Sequence, residues 1–262
     1  MDISLTGRRG LVCGSTQGIG RACARVLAEL GCSITLMARN EQALEAVARE
    51  LPRSAGQSHD FISADFSDPA AVTRAITDKV AISPPFHILI NNTGGPPGGR
   101  AIDAEPQAYE AAFRAHVIAN QILARAVVPG MIEAKYGRII NIISTSVKAP
   151  IANLGVSNTI RGAVAQWAKT LANELGPHGI TVNNVLPGYT DTERLRALMQ
   201  SRAKAAGVSE SQIAEEWRKT IPAGRFGRPE EIAAAVAFLA SPAAGYVNGI
   251  NLPVDGGRTP GL

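Results

Sequence analysis

Short apolar runs of strand length alternate with segments of helical period along the whole chain. These runs fall at residues 9–13, 33–38, 59–64, 86–91, 138–144, 181–186 and 250–254, and most of them cluster their apolar residues rather than alternating them with polar ones. That is the pattern of parallel strands covered on both faces. Between them, Ile19, Cys23, Val26, Leu27 and Leu30 make one apolar helical stripe closed by Gly31. Ile160, Val164, Trp167 and Leu171 make another, closed by Gly176-Pro177. This alternation predicts one α/β domain over residues 1–262, with a doubly wound, seven-stranded parallel sheet and helices on both faces. No internal repeat or low-complexity linker divides it. Two connections stand out. Residues 94–99 read GGPPGG directly after a strand, and residues 190–221 are polar, with two helix-like pieces broken at Gly207, as expected of a lid.

Composition narrows the class without naming a function. The chain has 262 residues, 45% apolar and 18% charged, enough for a large buried core. It has no run approaching the roughly 20 apolar residues of a membrane helix. No basic-apolar-small signal pattern opens it, because Asp2 comes first and Arg8 and Arg9 precede only a short strand. The expectation is a cytoplasmic protein with no membrane partner. Cys13, Cys23 and Cys32 are odd in number, fall in one βαβ-like unit and lack metal-ligand spacing, so they read as small core residues and no metal site is expected. The net charge of +4 is spread along the chain without a basic cluster or interleaved aromatics, which argues against a nucleic-acid partner.

The first chemical signal is Gly14-Ser15-Thr16-Gln17-Gly18-Ile19-Gly20, which follows the first strand and opens the first helix. Glycines there let a backbone approach a pyrophosphate, and the helix N-terminus offers it free N–H groups and a partial positive charge. A glycine-rich turn without a ligand is the plain alternative; the order of strand, loop and helix favours the ligand. The second strand ends in Met37-Ala38-Arg39-Asn40, where an acidic residue would bind the adenosine ribose. Small Ala38 beside the Arg39 guanidinium, with Asn40 next to it, suits a 2′-phosphate, so NADP(H) is expected over NAD(H). An ordinary solvated Arg39 is the alternative.

The Gly-x-x-x-Gly-x-Gly spacing resembles that of the short-chain dehydrogenase/reductase family, except that Cys13 stands where Thr is usual. Asp65, in ADFSD after the third strand, resembles the residue that meets adenine, with a helix-capping Asp as the alternative. Asn91-Asn92-Thr93-Gly94 resembles the family's Asn-Asn-Ala-Gly, with Thr93 for Ala. Asn184, Pro187, Gly188, Thr190 and Thr192 resemble the loop that covers the nicotinamide, and Val254-Asp255-Gly256-Gly257 resembles the C-terminal strand ending. These matches cover essentially the whole chain in the right order, and the branch they look most like is the 3-oxoacyl-(acyl-carrier-protein) reductases. The resemblance implies a Rossmann fold and an NAD(P)(H)-dependent oxidoreductase that interconverts a carbonyl and an alcohol, acyl-thioester-linked substrates included. It also implies a homotetramer or homodimer built on the long helices after the fourth and fifth strands, with which the Ala-rich faces around residues 111–128 and 163–171 are compatible.

The reaction segment departs from the family. There a Ser at a strand end is followed thirteen residues on by a Tyr and four further by a Lys; counting from Ser144 places Ser157 and Arg161 at those positions. The family's Asn on the fourth helix falls on His116. Ser157 is a poor acid, and the Arg161 guanidinium, with a pKa above about 12, will hardly donate a proton; its suited roles are cofactor binding and oxyanion stabilisation. Four apart on one helix, the two can face the same site. Three side chains are candidates for the missing acid. His116 has the right pKa if unperturbed, about 6.5, against the plainer reading of a core or subunit-contact histidine. Lys148 lies in the loop entering the site, where a solvated lysine is the alternative. Tyr189 sits in the nicotinamide-covering loop, where packing is the more ordinary role. Ser146 could support Ser144. Three readings follow: a reductase with altered chemistry, a catalytically silent dinucleotide-binding protein or partner subunit, and an enzyme of another class using the fold without hydride transfer.

Overall fold

The computed structural model describes residues 1–261. All seven expected strands form: β1 Arg9–Cys13, β2 Ser33–Ala38, β3 Asp60–Ser63, β4 Ile88–Asn91, β5 Gly137–Ile142, β6 Ile180–Pro187 and β7 Asn251–Val254. They make one parallel sheet in the order β3-β2-β1-β4-β5-β6-β7. The helices are α1 Gly18–Glu29, α2 Glu41–Glu50, α3 Pro69–Ile82, α4 Pro106–Phe113, α5 Ala119–Glu133, α6 Gly155–Leu175, α7 Glu193–Ala206, α8 Glu210–Lys219 and α9 Pro229–Ala240. Successive strand residues point to opposite faces, so each strand feeds two cores. Val12, Ile34, Leu36, Ile88, Ile90, Ile140 and Val185 pack under α1, α2 and α9. Leu11, Met37, Leu89, Ile139 and Val182 pack under α3, α5 and α6. The three cysteines divide between these cores, and burial pushes all three thiols up, so they are inert packing residues.

Several boundaries shift for local reasons. β5 stops at Ile142, short of the expected 144, because Ser144 leaves the ladder to cap a 3₁₀ turn, Thr145–Val147, its hydroxyl accepting from the Ser146 N–H at 3.0 Å. The lid-like segment forms two helices, α7 and α8, and Gly207 closes α7 in the left-handed conformation at φ +67°. A correction concerns the helix running from Pro106 to Glu133 through a π-helical turn at Arg114–Ile118: by length and composition its 28 residues could cross a membrane. Polar and charged residues such as Glu110, Arg114, Asn120 and Arg125 interrupt it, so it holds no unbroken apolar run. Ala119, Leu123, Val127 and Met131 of this helix are buried in the core beneath the sheet, which accounts for its apolar character.

Four asparagines at matched register form a ladder across the C-terminal half of the sheet, with Asn91, Asn141 and Asn184 buried and Asn251 exposed on the edge strand. Asn91 donates to Asn141 at 2.8 Å, Asn141 to Asn184 at 2.9 Å and Asn184 to Asn251 at 2.9 Å. A one-residue slip of any strand would turn an amide into an apolar layer, so the ladder pins the register of β4 to β7 and the heights at which their following loops emerge.

Candidate active site

The strand order reverses between β1 and β4, and in such sheets ligands bind outside the C-terminal strand ends at that point. A cleft of about 810 Å³ opens there, walled by the loops after β1, β2, β4, β5 and β6 and by α7.

Its cofactor end is made of backbone. The polypeptide turns at Gly14, φ +56°, and Gly18, φ +53°, into the first turn of α1. No side chain caps that helix at Gln17, so its first N–H groups face the cleft. Gly20 stands so close to the loop that a Cβ there would lie 2.1 Å from the Gly14 carbonyl oxygen. The Asn92 amide holds the loop from the other side, donating to the carbonyls of Cys13 at 3.3 Å and Gly14 at 3.2 Å. This glycine cradle at an uncapped helix N-terminus fits a pyrophosphate. At the end of β2, Ala38, Arg39 and Asn40 line the wall with no carboxylate among them; Asn40 also caps α2, accepting from the Ala43 N–H at 3.0 Å.

The reaction end is made of side chains. Ser144, Ser157 and Arg161 line the cleft together with Thr93 and Gly94 after β4 and Pro187, Gly188 and Thr190 after β6. The Ser144 oxygen accepts from the Ser146 N–H, which leaves its own O–H free to donate. Among the described residues Ser157 has no hydrogen-bond partner. Arg161 is 8% exposed and donates from Nη1 to the Ile142 carbonyl at 3.1 Å. Burial, then the charge of Arg194, brings its pKa down to about 10, so it stays cationic at neutral pH. Four arginines and one glutamate line the cleft, giving it a positive potential.

Gly14, Gln17, Gly18, Ile19, Arg39, Asn40, Thr93, Gly94, Ser144, Ser157, Arg161, Pro187, Gly188 and Thr190 thus share one cleft. Six other expected residues are not among those that line it. Ser15 is fully buried, its oxygen accepting from the Met37 N–H at 3.1 Å, and Gly20 packs against Gly14. Asn91 and Asn184 belong to the ladder rather than to the cofactor wall. Asp65 accepts from the Ser67 N–H and hydroxyl, which hold its carboxyl below the usual range, and lies 3.8 Å from Arg39; the helix cap expected of it is made by Asp68. His116 requires the largest correction. It is buried in the π-helical turn with Nδ1 2.5 Å from the Thr93 hydroxyl, and burial, then the charge of Arg161, lowers its pKa to about 3. At neutral pH the ring is uncharged and is not the acid its ordinary pKa suggested.

Of the remaining candidates, Lys148 follows the 3₁₀ turn without joining the cleft wall, and Ser146 is buried. Tyr189 stacks on Trp217 of α8 at 4.6 Å between ring centres, with Arg258 over its ring at 4.3 Å. It packs the base of the lid. Neither the loop-holding role of Asn92 nor the position of Arg194 has a local sequence signal; the Arg194 Nη2 reaches across the cleft to the Pro96 carbonyl at 2.6 Å.

Residues 14–259 match the family model described as enoyl-(acyl carrier protein) reductase. The 3-oxoacyl-(acyl-carrier-protein) reductase of Vibrio cholerae is 33% identical over 260 residues, covering 97% of this chain and 98% of the relative. The gluconate 5-dehydrogenase of Gluconobacter oxydans is 32% identical over 261 residues, covering 99% and 97%. Among solved structures, L-sorbose reductase from Gluconobacter frateurii, in complex with NADPH and L-sorbose, superposes with a TM-score of 0.93 at 29% identity over the whole of both chains.

Proposed function

The chain belongs to the short-chain dehydrogenase/reductase family of oxidoreductases, and we propose that within it the protein is an NADP(H)-dependent enzyme interconverting a small carbonyl and an alcohol. One observation carries this reading: a dinucleotide cradle and a polar, cationic pocket are two ends of a single cleft. The relatives act on an acyl-carrier-linked oxoacyl group, on gluconate and on sorbose, which supports a small carbonyl or alcohol, thioester-linked ones included.

The glycine loop and the α1 N–H groups bind the pyrophosphate, and Arg39 with Asn40 holds the 2′-phosphate. Pro187, Gly188, Thr190, Thr93 and Gly94 frame the nicotinamide end. NADPH held in this way would supply the hydride for carbonyl reduction. Ser144 donates its O–H to the carbonyl oxygen and so orients it. As that oxygen gains negative charge, the desolvated Arg161 guanidinium stabilises it more strongly than it would in water. Arg161 does not give up its proton; the alkoxide takes one from the Ser157 hydroxyl, which regains it from water in the cleft, and the hydroxide so formed takes up the one solvent proton that the reduction consumes. His116, uncharged, fixes the Thr93 hydroxyl beside this site.

The protein acts as a cytoplasmic homotetramer or homodimer through the faces around residues 111–128 and 163–171, a state that light scattering after gel filtration reads directly. Fluorescence titration with NADPH and NADH tests the cofactor end: NADPH binds tighter, and Arg39→Ala reduces that preference about tenfold. Equal affinities, unchanged in the variant, would remove NADP(H) from the reading. Stopped-flow oxidation of NADPH against a carbonyl panel tests the reaction; no oxidation with any substrate at any pH would leave the silent-binder alternative.

A further inference from the structure

Arg161 and Arg194 approach each other from different elements, one on α6 beneath the cleft and the other on the lid helix α7. Their Nη2 atoms lie 3.7 Å and 3.3 Å from the point that a Cβ on residue 95 would occupy. Residue 95 is glycine, so nothing wedges between the two guanidinium groups. Each uses one donor on a backbone carbonyl, Ile142 for Arg161 and Pro96 for Arg194. Among the described residues no carboxylate pairs with either. Each guanidinium has five N–H donors, so most of this donor capacity is left to point into the cleft.

Two like charges converge here, Arg161 buried at the wall and Arg194 exposed on the lid helix, and they oppose each other. Arg161 is 8% exposed and the field of Arg194 disfavours its charge; Arg194 is itself disfavoured by desolvation. A protein carries such an arrangement at a cost unless an anion completes it. Cofactor phosphates are accommodated elsewhere, at the glycine loop and at Arg39. The anion at this end therefore arrives with the substrate, beside Ser144 and Ser157. Bidentate guanidinium forks match a planar carboxylate.

Resting on the reductase reading above, we propose that Arg161 and Arg194 form a carboxylate clamp, so that the substrates are oxo acids and the products the corresponding hydroxy acids. Neutralising one of the two charges leaves a net positive charge to stabilise the developing alkoxide. Because one arm of the clamp is on α7, substrate binding also ties the lid to the floor of the cleft.

Isothermal titration of the NADP⁺-loaded protein tests the clamp without requiring turnover. The probes are 2-oxobutanoate, 4-oxopentanoate and 2-oxoglutarate, each beside its methyl ester. At least one acid binds about tenfold or more tighter than its ester, and Arg194→Met and, independently, Gly95→Val collapse that ratio about tenfold, with circular dichroism and Tm reporting that the variants fold. Three results overturn the proposal: acids and esters binding alike, an acid preference that survives both variants, or no acid binding across the panel. Inorganic phosphate competing as tightly as the acids would also overturn it, in favour of a phosphate-bearing substrate. Following NADPH oxidation with the same compounds separates the two claims. Esters reduced as efficiently as acids leave a reductase without the clamp; acids bound through Arg194 but never reduced leave the clamp without the reductase.

Discussion

The two ends of the cleft are built from different materials. The cofactor end is backbone, shaped by three glycines within one loop and the adjoining helix turn, and held on one side by the Asn92 amide and on the other by Ser15 and Gly14 against Met37. The reaction end is side chains brought from β5, α6, the loop after β4 and the lid. A backbone cradle tolerates almost no substitution, because a Cβ there has nowhere to go. A side-chain site can be rewritten residue by residue while the fold stands. At the reaction end Ser157, Arg161 and His116 stand at the positions where the family resemblance leads one to expect tyrosine, lysine and asparagine, whereas the cofactor loop has the expected glycines.

The contrast can be broken most forcefully at Gly20. With a Cβ 2.1 Å from the Gly14 carbonyl, Gly20→Val should abolish NADPH binding in a fluorescence titration, with circular dichroism reporting whether the sheet survives. Intact affinity would mean the cradle is not the cofactor site. Arg161→Met should lower kcat/KM by ~10²–10³, and Arg161→Lys, which keeps the charge but not the planar fork, should recover only part of the loss. An equal loss in both would make the guanidinium geometry, not its charge, the important property.

His116 sharpens the comparison through pH. Its folded pKa of about 3 lies below the ordinary value of about 6.5. Between those values the unfolded chain binds a proton that the native protein does not. The stability associated with the neutral ring is therefore fully present above about pH 6.5 and is lost as pH falls toward 3. In urea unfolding followed from pH 7 to pH 4, His116→Gln should show a shallower decline than the natural chain, and an identical slope would contradict the buried, neutral ring. The smallest effect is expected at Tyr189. Its ring packs between Trp217 and Arg258, so Tyr189→Phe should leave kcat within about twofold; a drop of ~10²–10⁴ would make it the proton donor.

What the sequence made legible follows the same division. The strands were readable because both faces of a parallel sheet are buried, and the glycine loop because its requirements lie within seven consecutive residues. The family and its oxidoreductase chemistry were legible through motifs spread along the whole chain, as the matched relatives bear out. The asparagine ladder escaped because its partners are 43 to 67 residues apart. Arg194 escaped because it lies on a polar helix without a distinctive stripe, and its contact with Pro96 spans 98 residues. The residue type of His116 was plain, but its acidity depended on a π-helical turn and a neighbouring arginine that no local pattern encodes.

The central claim is that the two ends of the cleft meet over one reaction, hydride transfer to a carbonyl. The direct measurement mixes the protein with NADPH carrying deuterium at the transferable position of C4 and a panel of oxo acids, ketones and oxoacyl thioesters, then analyses the products by mass spectrometry. An alcohol carrying the deuterium on its carbinol carbon is the predicted result. Binding of NADPH with no deuterated product from any compound would contradict it.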